Sequence, residues 1–76
     1  MSEPSAICPG SFRLTAREHE ILQLVALGLT NAQIAERCWI SRHTVNIHVC
    51  SILTKLGAAN RTLAVSLAYR QGLLAL

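Results

Sequence analysis

The sequence predicts an all-α protein of four helices. From Leu14 onward the chain has no proline, and it is divided at Gly28, Gly57 and Gly72, where glycine suits the left-handed residue that ends a helix. Aromatic residues make up only 4% of the chain, so aliphatic side chains must form the core. Such a core favours helices over strands, which are usually rich in β-branched and aromatic residues.

Capping residues mark where the first two helices begin. Thr15 and Glu18 have the spacing of a capping box, in which a hydroxyl and a carboxylate satisfy free amides of the first turn. We therefore expect a helix over about residues 16–27. Thr30 and Gln33 repeat the spacing and predict a second helix of about eight residues.

The third helix is expected to follow its cap, Ser41, and to cover about residues 42–56, and Asn60 caps a fourth helix that runs to Gly72. At about 100° per residue, one arc of the third helix is apolar and predicts its core face: Val45, Val49, Ile52, Leu53 and Leu56. The outward face holds His43, Ile47, Cys50, Ser51 and Thr54, with Asn46 and His48 on its flanks. Because that face has no acidic residue, it is unlike a helix face that meets only water, and it indicates contact with a partner.

Length and composition narrow the class of protein. In a chain of 76 residues we expect one domain over residues 13–76, preceded by a flexible N-terminal arm over residues 1–12 that holds both prolines. Seven Lys and Arg against four acidic residues give a formal charge of +3, which permits a nucleic acid as partner. Three cysteines without a close pair, no signal peptide and no long apolar run predict a cytoplasmic protein without a membrane partner.

A short helix, a turn and a longer helix with an outward contact face form a helix-turn-helix arrangement. In that arrangement helix 3 is the recognition helix, which lies in the major groove of DNA. The groove is about 12 Å wide and accepts one helix, whose amino-terminal half reaches the base edges. The spacing of the elements therefore predicts a DNA-binding protein.

Spaced residues along most of the chain agree with one family. They are Leu14-Thr15-x-Arg17-Glu18-x-Glu20-Ile21-Leu22-x-Leu24, Gly28-Leu29-Thr30-Asn31-x-x-Ile34-Ala35, Ile40-Ser41-x-x-Thr44-Val45-x-x-His48, Lys55-Leu56-Gly57 and Arg61-x-x-Ala64-Val65. On these residues the chain resembles the LuxR/FixJ-type (GerE-like) helix-turn-helix DNA-binding domain from residue 14 to 74. The resemblance implies the four-helix domain that is usually the C-terminal part of a bacterial transcription regulator, with the fourth helix as a frequent dimer surface.

The function that the resemblance implies is sequence-specific transcription regulation by a homodimer that binds double-stranded DNA. A helical protein–protein interaction module with degenerate DNA binding is the alternative, because the recognition helix carries little charge and the last helix is apolar. The family usually attaches a receiver or small-molecule domain, for which residues 1–12 are too short, so no small-molecule substrate is expected. We favour a free-standing regulator over a piece of a longer one, since the leader is not a recognisable tag.

The residues predicted to contact bases are His43, Asn46, Ile47 and Cys50. Similar domains commonly bring lysines to the base edges from the positions of Asn46, Ile47 and Cys50, so this chain departs from the family there. Asparagine pairs with adenine through two hydrogen bonds, and isoleucine or cysteine can lie against a thymine methyl group. We therefore expect a DNA site rich in A and T.

Two further groups of residues are predicted to bind. The residues expected to contact phosphates are Asn31, Arg42, Thr44, His48, Lys55 and Arg61, of which Thr44 and His48 match family positions near the DNA backbone. On or after the fourth helix, three apolar residues form a dimer interface or simply fill space, and both interpretations stay open: Val65, Tyr69 and Leu73.

Trp39 lies in the turn before the third helix, where we expect it to cover the edge of the core, with stacking on DNA as the alternative. No metal or other cofactor is expected, because the sequence lacks a Cys-x-x-Cys pair and His43 and His48 point about 140° apart on a helix. The carboxylates have no nucleophile or paired acid at a fixed spacing, which predicts that the chain is not an enzyme.

Overall fold

The computed structural model describes residues 14–74, which form four helices joined by short turns. The helices are α1 (Ala16–Ala26), α2 (Asn31–Cys38), α3 (Arg42–Leu56) and α4 (Arg61–Arg70). No strand occurs between residues 14 and 74. The predicted all-α class with four helices is therefore confirmed, while the predicted arm over residues 1–12 lies outside the described residues.

Each helix begins after the capping residue that the sequence predicts. Thr15 Oγ1 accepts a hydrogen bond from the Glu18 amide at 3.0 Å, and Glu18 Oε1 accepts one from the Thr15 amide at 2.9 Å. The other three helices have side-chain caps as well, which are Thr30, Ser41 and Asn60. These caps satisfy amides that have no partner inside the helix, so the starts of the helices are set locally.

The helices end close to the predicted glycines. Gly57, with φ 70°, directly ends α3 as expected. Helix α1 stops one residue earlier than predicted and α4 stops two residues earlier, because Leu27 and Gln71 cap them before Gly28 and Gly72 turn the chain through a positive φ.

Helix α3 lies at the centre of the fold and contacts each of the other three helices. Its predicted core residues are buried, except for Leu53, which is half-buried at the edge of the core. The largest fully buried side chains come from α1, α2 and α3, namely Ile21, Leu22, Ile34, Val45 and Ile52. Helix α4 contributes Ala64 and Ala68, whose small side chains allow close packing. Packing on several sides leaves one side of α3 open.

None of the helices between residues 14 and 74 has the length and apolar character that crossing a membrane requires.

Candidate nucleic-acid interface

The open side of α3 carries a row of exposed side chains. His43, Asn46, Ile47 and Cys50 are all exposed, and their spacing of three and four residues places them on one side of the helix. We refer to these four residues as the outer row. Ile47 is 53% exposed, which leaves a branched apolar side chain in contact with water. The structure thus brings together the four residues predicted to contact bases.

The amino-terminal end of α3 presents a capped turn beside an exposed arginine. Ser41 Oγ accepts a hydrogen bond from the Thr44 amide at 3.0 Å and lies 2.9 Å from Thr44 Oγ1. Arg42, the first residue of the helix, is exposed and forms no ion pair with any residue from 14 to 74. The helix dipole adds positive potential at the same end. Thr44 and His48 are half-buried along the flanks of the helix.

Near its other end, α3 is bonded to α1 through a buried carboxylate. Glu18 is only 5% exposed, and it accepts hydrogen bonds from Ser51 Oγ and Lys55 Nζ, both at 2.6 Å. Burial by itself raises the pKa of the Glu18 carboxyl, but the bonds from Lys55, Ser51 and the Thr15 amide outweigh it and hold the pKa below its ordinary value. The carboxylate is therefore ionised at neutral pH and pairs with the ammonium group.

This contact changes what the sequence predicted for two residues. The prediction that Ser51 lies on the outward face is wrong, since Ser51 is half-buried and its hydroxyl bonds to a carboxylate 33 positions away in the chain. Ser51 lies at the border between the two faces of α3, where helical periodicity alone does not decide the side. Lys55, predicted to contact phosphate, has its ammonium group on Glu18 and 32% of its side chain exposed.

Asn31 and Arg61, both predicted to contact phosphates, contact each other. Arg61 Nη1 donates to Asn31 Oδ1 at 2.7 Å, and Arg61 Nη2 donates to the Leu29 carbonyl oxygen at 3.0 Å. These bonds hold the start of α4 against the start of α2. Both side chains are half-buried, and the side-chain amide of Asn31 retains donors for an anion.

Trp39 does not cover the core, so the prediction that it does is wrong. Its side chain is 92% exposed, and its backbone is left-handed, with φ 60° and ψ 40°, at the end of α2. This conformation turns the chain between α2 and α3, and Ile40, the next residue, packs against the core instead. The sequence pattern contains no sign of the left-handed conformation, because a bulky aromatic residue seldom adopts it.

The three residues predicted for a dimer interface differ in their surroundings. Val65 and Leu73 are half-buried and pack against the core. The Leu73 carbonyl oxygen also accepts a hydrogen bond from His19 Nε2 at 2.8 Å, which ties the chain after α4 to α1. Tyr69 is 36% exposed, and Leu63, also on α4, is 40% exposed. Tyr69 is thus the most accessible of the three.

Basic charge is concentrated in the part of the chain that follows Glu36. No acidic residue follows Glu36, whereas five of the seven basic residues do: Arg37, Arg42, Lys55, Arg61 and Arg70. Helices α3 and α4 therefore carry basic charges only. A uniformly positive charge of this kind attracts a polyanion over a distance set by the ionic strength.

The thiols of Cys38 and Cys50 are free, the first buried and the second exposed. Across residues 14–74, no three His, Cys, Asp or Glu side chains gather in a group that could hold a metal ion. Cys8 lies outside the described residues.

A short helix, a left-handed turn and a central helix with an open side define a helix-turn-helix domain of the DNA-binding type. The pattern that defines the bacterial regulatory proteins of the luxR family (GerE) matches residues 13–68 of this chain. The chain belongs to this family.

Individual relatives agree in sequence and fold. The chain is 54% identical over 54 residues to the probable transcriptional regulatory protein SgaR of Hyphomicrobium methylovorum, which covers 71% of this chain and 26% of SgaR. Its fold is similar to the transcription factor GerE, with a TM-score of 0.77, 35% identity and coverage of 82% of this chain and 92% of GerE. The Vibrio cholera VqmA–ligand–DNA complex matches with a TM-score of 0.78, 31% identity and coverage of 93% of this chain and 31% of VqmA. The chain spans about a quarter of the length of curated relatives such as SgaR.

Proposed function

We propose that this chain is a sequence-specific DNA-binding module of a bacterial transcription regulator, acting on double-stranded DNA in the cytoplasm. The observation that carries the proposal is the outer row, which exposes four side chains that suit base edges on an acid-free side of a firmly packed helix. The names of its relatives support it, since SgaR is described as a transcriptional regulatory protein and VqmA was solved with DNA.

In this proposal α3 lies in the major groove with the outer row toward the bases. Asn46 bonds to adenine through its amide, and Ile47 and Cys50 lie against thymine methyl groups. His43 reaches the bases or the adjoining backbone from the first turn of the helix. The preferred DNA site is therefore rich in A and T at the positions that face α3.

The phosphate contacts surround this helix. Arg42 binds a phosphate from the start of α3, and Thr44 and His48 bind phosphates from the flanks of that helix. Asn31 and Arg61, which are hydrogen-bonded to each other, contact the DNA backbone from the starts of α2 and α4. Lys55 adds charge at the far end of α3, although its bond to Glu18 limits how far it reaches. Such contacts set the register of the protein on the duplex, while the outer row reads the sequence.

Two copies bind a twofold site through α4, with Tyr69 at the centre of the dimer interface and Val65 and Leu73 at its edges. The half-sites then lie about one helical turn of DNA apart. A dimer of this kind buries the exposed part of the Tyr69 side chain.

The test is a selection from random duplexes, followed by fluorescence anisotropy with the selected duplex and a scrambled one. We expect a specificity ratio of about 10³ or more. Asn46→Ala should reduce discrimination at one A·T position by about 1–3 kcal/mol, whereas the matched change Gln23→Ala, at an exposed position of α1, should not. Equal affinity for both duplexes would refute the proposed function, and invariant guanines opposite α3 would refute the A/T preference alone.

A further inference from the structure

We infer that Trp39 is a DNA-contacting residue, whose indole ring packs on the sugar–phosphate strand beside the start of α3; this inference rests on the proposed function. Neither the capping pattern nor the core requires an aromatic ring at this position. The indole is 92% exposed, the largest exposed fraction among the large hydrophobic side chains between residues 14 and 74.

The backbone at Trp39 points to the same conclusion independently of the exposure. Within residues 14–74, Trp39 is the only residue other than glycine with a positive φ, at 60°. Glycine adopts that conformation without strain, and it is the usual residue where a helix ends in this way. Trp39 therefore combines a strained backbone with an exposed apolar ring, and neither feature stabilises the isolated domain. Strain of this kind is found preferentially at functional sites.

The position of Trp39 in the chain selects DNA as the partner. Its Cα atom lies at most about 11 Å from that of Arg42, because only three residue steps separate them. Trp39 therefore lies next to the end of α3 that carries the capped turn and the exposed arginine. The surface is continuous with the proposed DNA interface.

The charges around Trp39 also favour a polyanion over an ordinary protein surface. Arg37 precedes it on the last turn of α2 and Arg42 follows it, and both are exposed without an ion pair to any described residue. Glu36, on α2, is the last acidic residue in the sequence. An aromatic ring between two arginines can cover the apolar face of a deoxyribose while the guanidinium groups bind the flanking phosphates.

The chain contains one tryptophan, so its intrinsic fluorescence reports on this site alone when excitation at the red edge of the band avoids Tyr69. The whole chain is titrated with an unlabelled selected duplex, and acrylamide quenching is measured with and without DNA. We expect the quenching constant to fall on binding. Anisotropy of the labelled duplex follows binding itself in parallel.

Three substitutions separate the ring from the backbone. Trp39→Ala should weaken binding about fivefold or more, and Trp39→Phe should retain most of the affinity. Trp39→Gly should weaken binding as much as Trp39→Ala but raise the Tm, because glycine accepts φ 60° without strain. A gain in stability together with a loss of affinity is not expected of a residue with a structural role only.

The inference is overturned if the labelled duplex binds specifically while acrylamide quenching of Trp39 is unchanged and Trp39→Ala binds with equal affinity. The proposed function survives that result. If no duplex binds specifically at all, the proposed function and this inference both fail.

Discussion

The side chain of Glu18 has two structural roles. Its carboxylate accepts a hydrogen bond from the Thr15 amide, as the capping box of α1 requires. It also accepts hydrogen bonds from the side chains of Ser51 and Lys55 on α3. The cap therefore also links α1 to α3. Removal of its charge acts on the start of one helix and on the position of another.

Glu18→Gln tests this link. Glutamine keeps the shape and an acceptor for the cap but leaves the Lys55 ammonium without a charged partner in a mostly buried site, so we expect the free energy of unfolding to fall by about 1–3 kcal/mol. Urea denaturation measures this change in the free energy of unfolding. Glu20→Gln is the matched control, because the Arg17–Glu20 pair is exposed and 3.4 Å long, and we expect a change within about 0.5 kcal/mol. Equal losses in the two variants would contradict the prediction.

The pH dependence of stability follows from the lowered pKa of Glu18. Since the folded state has the lower pKa, the unfolded chain takes up the proton first as the pH falls. The stabilisation is thus complete above the ordinary glutamate value of 4.5 and is lost as the pH falls through the pKa of the folded state. We expect the difference in unfolding free energy between wild type and Glu18→Gln to shrink in acid. Urea titrations from neutral pH to about pH 3 check this, and a constant difference would speak against it.

The two ends of helix α3 differ in whether their basic side chains are already paired. The amino-terminal end has an exposed arginine and a capped turn, whereas Lys55 near the carboxyl end is bonded to α1. A cation that already pairs with a carboxylate gains less from a phosphate than an unpaired one. The electrostatic part of DNA binding should therefore come more from the start of the helix than from its end.

The salt dependence of affinity separates these contributions. Arg42→Gln should make the slope of log affinity against log salt shallower by about 0.9 for each domain bound, because one phosphate contact is lost. Lys55→Gln should change the slope less, although it lowers stability through Glu18. Anisotropy titrations over a salt series give both slopes, with urea denaturation to verify folding. A larger effect from Lys55→Gln would assign the main phosphate contact to that residue instead.

At the scale of the whole molecule, the small core leaves part of α4 accessible. Ala64 and Ala68 pack inward, while Leu63 and Tyr69 remain partly exposed on the same helix. Apolar surface of this kind is common in so short a chain, and it also suits a twofold contact. Cooperative binding to DNA distinguishes a dimer contact from apolar surface that is simply exposed.

We expect Tyr69→Ala to remove cooperative binding to a duplex with two half-sites while leaving the affinity for a single half-site unchanged. The reason is that Tyr69 lies on α4 and belongs neither to the outer row nor to the proposed phosphate contacts. Electrophoretic mobility shifts with one-site and two-site duplexes measure both affinities. Gln71→Ala, another exposed position at the end of α4, serves as control. Unchanged cooperativity in Tyr69→Ala would exclude Tyr69 from the dimer interface.

Short-range sequence patterns were sufficient to predict the class of fold, the order of the helices and the residues at which they start. Capping residues act within three positions of the amides that they satisfy, and helical periodicity depends only on the chain itself. For the same reason the outer row was predictable, because its four residues lie within eight positions of one helix.

The partners that side chains meet across the core depend instead on how the four helices pack. Lys55 meets Glu18 from 37 positions away, and Ser51 turns inward for the same carboxylate. The left-handed backbone of the turn leaves Trp39 exposed. Val65 is half-buried because it packs against the core. Local rules cannot supply these results, because they depend on where the packing of four helices places groups that are distant in the sequence.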